Sequence, residues 1–259
     1  MEIIKQAVFF NLCLFLTGCF YFTSSVRKME KALKKKECSQ ARLDFLSIEG
    51  RENKKQLLAK KAVQVCLPIS KKQAVWFYQY LSERERNKEH RLELKKTMAR
   101  IYFEEIKDYE AAVKVYSFLQ TQDVSAEEKQ KYSFRVAQAY FEMGKWLASL
   151  NQVERVLSTM DKNKDNKWVK VFFLKGRILL MQERYKEAED TFIVLQRSAP
   201  GFFKVNKVFL YLSFIYESRK EFHQAISNLK EYQNTSEFLM SKIKRLKIRQ
   251  NNQPARTLQ

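Results

Sequence analysis

Four thiols and two imidazoles are the side chains of this 259-residue chain best suited to nucleophilic, redox or metal chemistry, and their spacing leaves little of that chemistry open. Cys13 and Cys19 lie in an apolar N-terminal stretch, Cys38 and Cys66 follow it 28 residues apart, and no Cys-x-x-Cys occurs. His90 and His223 each lack a thiol, a second histidine or a carboxylate pattern at ligand spacing, so neither reads as a metal ligand or general base. Asp161-Lys-Asn-Lys-Asp165-Asn166 opens with oxygen ligands at the spacing a calcium loop uses. Asn166 nevertheless stands where the turn needs glycine, Phe172 stands where the closing glutamate belongs, and three lysines crowd the segment. It reads as a polar connector. Glycine-rich phosphate loops, nucleophile elbows and paired-histidine zinc motifs are absent from the sequence. The chain is therefore expected to be no enzyme, with no catalytic residue, no metal and no cofactor.

The elements that would position a site are read most clearly from Trp168 to Pro200. Phe172, Gly176 and Leu179 recur at helical spacing, a polar turn follows at Gln182 to Arg184, then Tyr185, Ala188, Phe192 and Leu195, with a stop at Pro200-Gly201. A hydrogen or a methyl at Gly176 and Ala188 lets two antiparallel helices approach closely while larger residues fill the interface. The order returns downstream at Phe209, Leu212, Ser213, Tyr216, Phe222, Ala225, Leu229 and Tyr232, and upstream at Val136, Ala137, Tyr140, Gly144, Trp146, Ser149, Val153 and Val156. Ala112, Ser149, Ala188 and Ala225 mark the second helices at separations of 37, 39 and 37, and fainter copies place Ala74 and Ala41 in the same role at 38 and 33. Ser70-Lys-Lys-Gln73 and Ser125-Ala-Glu-Glu128 read as capping boxes.

These residues resemble the tetratricopeptide repeat, whose period is about 34 residues, so the longer separations imply extra turns. Arg100, where a small residue is expected, departs from the pattern. The resemblance implies an all-α, right-handed superhelical solenoid of about five to six helix-turn-helix repeats. It also implies that first helices line a concave face. Carried onto this sequence, that face holds Lys131, Phe134, Gln138 and Phe141, then Lys170, Phe173, Arg177 and Leu180, then Lys207, Leu210 and Phe214. A lysine opens each set and an aromatic or leucine follows one turn later, which suits a protein partner, a peptide or helix with acidic and apolar residues. The alternative is that the aromatics pack against the chain's own helices. In the same register Cys38 opens a second helix and Cys66 ends the next first helix. Antiparallel packing brings those ends together, leaving two readings: a disulfide, contributing about 3 to 4 kcal/mol in the chain-entropy model, or two buried thiols.

Charge and the chain's start set the compartment. Forty-nine Lys and Arg against 29 Asp and Glu give +20, which calls for an acidic partner or surface. The run Ala7 to Phe22 is 16 residues and holds Asn11, short for a membrane span and suited to a signal peptide. It contains Leu16-Thr17-Gly18-Cys19, which resembles the bacterial lipobox, and that resemblance implies cleavage before Cys19 and lipid on its sulfur. An uncleaved signal anchor is the plainer alternative. Phe20 after the cysteine leans the resemblance towards the outer membrane. The basic stretch SSVRKMEKALKKK reads either as a cluster drawn to lipid head groups or as a first helix with a solvated face. From Ser241 onward six Lys or Arg occur without an acid, as in a basic cap.

The expected organisation is a signal peptide at 1–18, a lipidated tether at 19–27, repeats at 28–240 and a basic cap and tail at 241–259. The layout is similar to the helical lipoprotein of the outer-membrane β-barrel assembly machinery and to pilotin lipoproteins. It implies a scaffold at the periplasmic face of a bacterial outer membrane, anchored through its N-terminal lipid, with protein partners and no nucleic acid. A cytoplasmic or inner-membrane-anchored basic adaptor, binding an acidic partner or nucleic acid, is the competing reading.

Overall fold

The computed structural model describes residues 24–50, 52–160, 167–232 and 236–252. Cys19, the expected signal peptide, the Asp161 to Asn166 connector and the end of the basic tail lie outside the described residues. Among the described residues every regular element is helical. The chain divides into two compact units, one through Val124 and one from Ser125.

The N-terminal unit holds α1 (24–34), α2 (Cys38–Leu46), α3 (Glu52–Cys66), α4 (Lys71–Arg84), α5 (Lys88–Arg100), a π-helical extension Ile101–Ile106, and α6 (Tyr109–Gln120). Its main core gathers Met29, Ala32, Leu33, Ala41, Phe45, Ala62, Ala74 and Phe77. Cys38 and Cys66 are joined as a disulfide with their Cα atoms 5.7 Å apart. The C-terminal unit holds α7 (Ala126–Glu142), α8 (Trp146–Thr159), α9 (Trp168–Met181), α10 (Tyr185–Ser198), a short α11 (Pro200–Val205), α12 (Val208–Ser218), α13 (Phe222–Lys230) and α14 (Glu237–Asn251). Two expected boundaries shift: residues 24–27 already belong to α1, and α14 runs unbroken across residue 240 because Leu239, Ile243 and Leu246 all bury on one face.

The hairpins pack as the small residues require. Ala41, Ala74, Ala112, Ser149, Ala188 and Ala225, one on each second helix, are all 0 % exposed. Opposite Ala188, a β-carbon added at Gly176 would sit 2.7 Å from Cζ and 2.9 Å from Cδ1 of the buried Phe192. No relaxed side chain fits there. Arg100 is exposed, and the buried small residue is Ala99, one position earlier. The π-helical segment absorbs the extra residue, since each π turn accommodates one more residue than an α turn.

The hairpin turns share a conformation that side-chain types conceal. Lys36, Lys107, Gly144, Glu183 and Lys220 each follow a first helix with φ between 59° and 71°. The next N–H then reaches back to cap the helix: Glu37 to the Ala32 carbonyl at 2.9 Å, Lys145 to Tyr140 at 2.9 Å, Arg184 to Leu179 at 2.9 Å and Glu221 to Tyr216 at 2.8 Å. Asp108 reaches one residue further, to Tyr102, because of the π segment. Of the two expected capping boxes, Ser125 accepts from the Glu128 N–H at 3.2 Å. Ser70 makes no side-chain cap, and Gln73 instead donates to Ser39 Oγ on α2 at 3.3 Å. His90 is not isolated either, since its Nδ1 lies 2.6 Å from Glu85 Oε2, clamping the turn before α5.

Neighbouring repeats of the C-terminal unit are stapled by charge. Glu189 of α10, 8 % exposed, meets Arg219 at the end of α12 at 2.7 Å, and Arg219 also holds Glu221 at 2.6 Å. Burial alone would raise the Glu189 carboxyl, but the Arg219 hydrogen bond and charge outweigh it and hold it below the usual carboxylate range. The Tyr216 hydroxyl beside it is pushed up to about 12, by burial first and then by the Glu189 charge.

Three outcomes follow from this packing. Gly176→Ala should lower unfolding free energy by about 1 to 3 kcal/mol in denaturant titration, overpacking outweighing the helix propensity gained. Adding Phe192→Leu should restore part of the loss. Lys107→Gly, Glu183→Gly and Lys220→Gly should each leave stability unchanged or raise it by up to about 1 kcal/mol, because L residues are strained at positive φ. Because the folded-state pKa of Glu189 is depressed, its contribution is complete above the unfolded value of about 4.3 and is lost as pH falls through the folded value. Glu189→Gln should therefore cost about 1 to 3 kcal/mol at pH 7 and flatten the fall in melting temperature below about pH 4.

Candidate functional site

The expected binding face falls entirely within the C-terminal unit, on α7, α9 and α12 and the turn before α12. Their rotation is fixed by burial: Val136 and Ala137 on α7, Val171 and Leu174 on α9, and Phe209 and Leu212 on α12 point into the core. Residues on the opposite arcs look outward as the helical period dictates.

The structure brings four of the expected residues into one cleft of about 410 Å3: Lys131, Phe134 and Gln138 from α7, and Lys170 from α9. Met160, Val156 and Val171 complete its apolar wall, and Glu127, Gln130, Arg135 and Lys167 complete its polar rim. Lys131 and Lys170 are exposed, and Phe134 is half-buried. Glu127, the one carboxylate lining the cleft among the described residues, is tied to Lys167. Gln130 Nε2 donates to the Thr159 carbonyl at 2.8 Å, bracing α7 against the end of α8. The arrangement is a cationic, part-aromatic trough, able to hold a carboxylate beside an apolar side chain. It presents no nucleophile with a base and no ligand cluster, and no group of three or more His, Cys, Asp or Glu could hold a metal among the described residues.

The other expected residues are not gathered there. Phe141 is 7 % exposed, packed on Trp146 at 5.1 Å between ring centroids and covered by the Arg177 guanidinium at 4.3 Å. Phe173 stands edge-on to Phe202 of α11 at 5.7 Å and to Tyr211 at 5.5 Å, so the chain's own short helix occupies its outer side. Leu180 and Leu210 are half-buried against the core. Phe214 is 48 % exposed. Lys207 lies on the turn between α11 and α12 at φ 52°, off the helix face that the ladder of lysines requires. The six-residue α11 is the physical reason, since it displaces the start of α12 from the register of α7 and α9.

A second constellation, in the N-terminal unit, escaped the sequence. Phe45 stands edge-on to both Trp76 and Tyr80, whose own rings lie near-parallel, around a cleft of about 250 Å3 with Lys55 and Arg84 at its margin. Arg84 lies 3.9 Å over the Tyr80 ring and 2.9 Å from Glu52, which accepts from the Tyr80 hydroxyl at 2.6 Å. Burial first, then that hydrogen bond, raises the Tyr80 hydroxyl well above its ordinary range. Tyr80 and Arg84 are four apart on α4, the one signal that was readable.

No family model matches the sequence, and none of the curated proteins compared is similar to it in sequence. Solved structures do match in fold. A tetratricopeptide repeat protein from Parabacteroides merdae superposes with a TM-score of 0.52 at 15% identity, covering 88% of each chain. The apo form of RapI gives 0.56 at 18% identity over 89% of this chain and 72% of that one. A MamA RS-1 double mutant gives 0.52 at 16% identity over 76% of this chain and 97% of that one. At such identities the likeness bears on fold alone, and the fold is an all-α solenoid of tetratricopeptide-like helix-turn-helix repeats.

Proposed function

We propose that this chain is a lipid-anchored interaction scaffold of a bacterial envelope, positioned at the periplasmic face of the outer membrane to assist assembly of an outer-membrane, pilus or secretion complex. The single observation that carries the binding reading is the cleft in which Lys131 and Lys170 flank Phe134. Repeat folds of this kind serve as scaffolds by presenting such faces. The two ammonium groups orient an acidic residue of the partner and speed encounter, while the aromatic and aliphatic wall supplies affinity. The partner class is a peptide or helix carrying acidic and apolar residues.

Two observations support the envelope reading. Leu16-Thr17-Gly18-Cys19 lies within an apolar run of signal-peptide length. Cys38 and Cys66 pair as a disulfide, a bond that persists in oxidising compartments. The intact mass of membrane-extracted protein, beside that of Cys19→Ala, tests the anchor: the expected species begins at acylated Cys19.

For the cleft, Lys131→Glu with Lys170→Glu should weaken affinity for acidic amphipathic peptides roughly 10- to 100-fold by titration, with helix content unchanged. Lys207→Glu, remote from the cleft lining, should change it less than about twofold. Equal affinity for the double variant and the parent would refute the cleft as the binding site.

A further inference from the structure

We infer that the outer face of α1 docks on an anionic phospholipid bilayer, an inference that rests on the lipid-anchor reading above. Met29, Ala32 and Leu33, no more than 3 % exposed, seat α1 in the core and fix its rotation. At about 100° per residue this leaves Arg27, Lys28, Lys31, Lys34 and Lys35 around the opposite arc, with Lys36 following in the turn, all of them exposed. The stripe is about 12 Å long. The two acids of the segment are engaged: Glu30 lies 3.2 Å from Lys61 of α3, and Glu37 lies 4.0 Å from Lys35. Among the described residues Arg27, Lys28, Lys31, Lys34 and Lys36 have no acidic partner within salt-bridge distance.

An ordinary solvated helix face interleaves signs, as α10 does with Lys186 and Asp190 at 3.3 Å. This one does not. It carries no exposed large apolar side chain, so the aromatic anchors that peptide recognition needs are missing. What complements four cations on a helix face and a fifth in its turn, none with an acidic partner among the described residues, is a broad array of phosphates. Position selects the bilayer as its source. The helix begins five residues after Cys19, so an acylated sulfur holds the face within about 17 Å of the lipid even with the intervening chain extended. Each cation at such a surface strengthens partition about fivefold.

The test uses the full chain in vesicles of phosphatidylcholine alone or with about 30 mol % phosphatidylglycerol, with amine labelling read at each lysine by mass spectrometry. Labelling of Lys28, Lys31 and Lys34 should be about fivefold slower on anionic than on neutral vesicles and should recover near 1 M salt, while Lys114 on α6, which Glu110 pairs, stays unchanged. In Lys28→Gln with Lys31→Gln, Lys34 should lose its protection. Equal labelling on both vesicles overturns the inference, as does protection by added duplex nucleic acid but not by anionic lipid. Intact mass on the same sample separates the two readings. An acylated chain with equal labelling loses the docking face alone, whereas an unacylated chain with protected lysines loses the anchor alone.

Discussion

Two antiparallel helices approach closely only where a small residue stands at the point of contact, and the rest of this chain depends on meeting that condition for close approach at its hairpins. At Gly176 it is met with no room to spare, the Phe192 ring occupying the volume a methyl would need. Ala32 and Ala41, Ala62 and Ala74, Ala99 and Ala112, Ala137 and Ser149, and Ser213 and Ala225 are buried small residues on the two helices of the other hairpins, and the Ser149 hydroxyl donates to the Ala137 carbonyl at 2.7 Å. Close approach fixes the rotation of each first helix, and rotation decides which residues are core and which look outward. The disulfide and the Glu189–Arg219 pair act on an arrangement already set by packing.

Because the condition is chemical and periodic, it was legible in the sequence. Small residues can be recognised by type, and their recurrence placed all six second helices, including the faint copies at Ala41 and Ala74. The turns were not legible in the same way. A left-handed residue announces itself when it is Gly144 and not when it is Lys107, Glu183 or Lys220, since backbone strain leaves no mark on residue type. Arg100 looked like a defect only because a regular α-helix was assumed; the π segment shifts the phase by one residue and puts Ala99 in the interface. Gln73 satisfied the capping pattern on paper, yet a tertiary partner at Ser39 drew its side chain elsewhere.

The candidate site divides along the same line. Lys131, Phe134, Gln138 and Lys170 meet because α7 and α9 belong to adjacent repeats in regular register, which spacing alone conveys. Phe173 and Lys207 do not join them because α11 intervenes, and Pro200-Gly201 signals that a helix stops without saying that another turn of helix starts there. Phe202 of that short helix then covers the outer side of Phe173. Phe45, Trp76 and Tyr80 sit on second helices, where repeat logic assigns aromatics to the core. Phe45 and Tyr80 are indeed buried, and it is the half-buried Trp76, with Arg84 and Lys55 beside it, that opens the cleft through side-chain geometry no one-dimensional pattern encodes.

The surplus of positive charge is localised by the same packing. Several acids are engaged in pairs that tie one helix to another: Glu52 with Arg84, Glu105 with Lys71, Glu189 with Arg219, Glu217 with Lys242. Each such pair neutralises a cation internally, so the excess is concentrated where acids are sparse, around the cleft of α7 and α9, on α1 and along α14. A surplus of this kind has counter-charges only outside the molecule, and it raises the local concentration of anionic partners at those places rather than over the whole surface. What accompanies the charge then separates the roles. In the cleft Phe134 stands between the lysines and can desolvate a side chain, so that face can be selective. On α1 the cations stand without an exposed aromatic, so that face can hold position against a charged plane but cannot read a sequence.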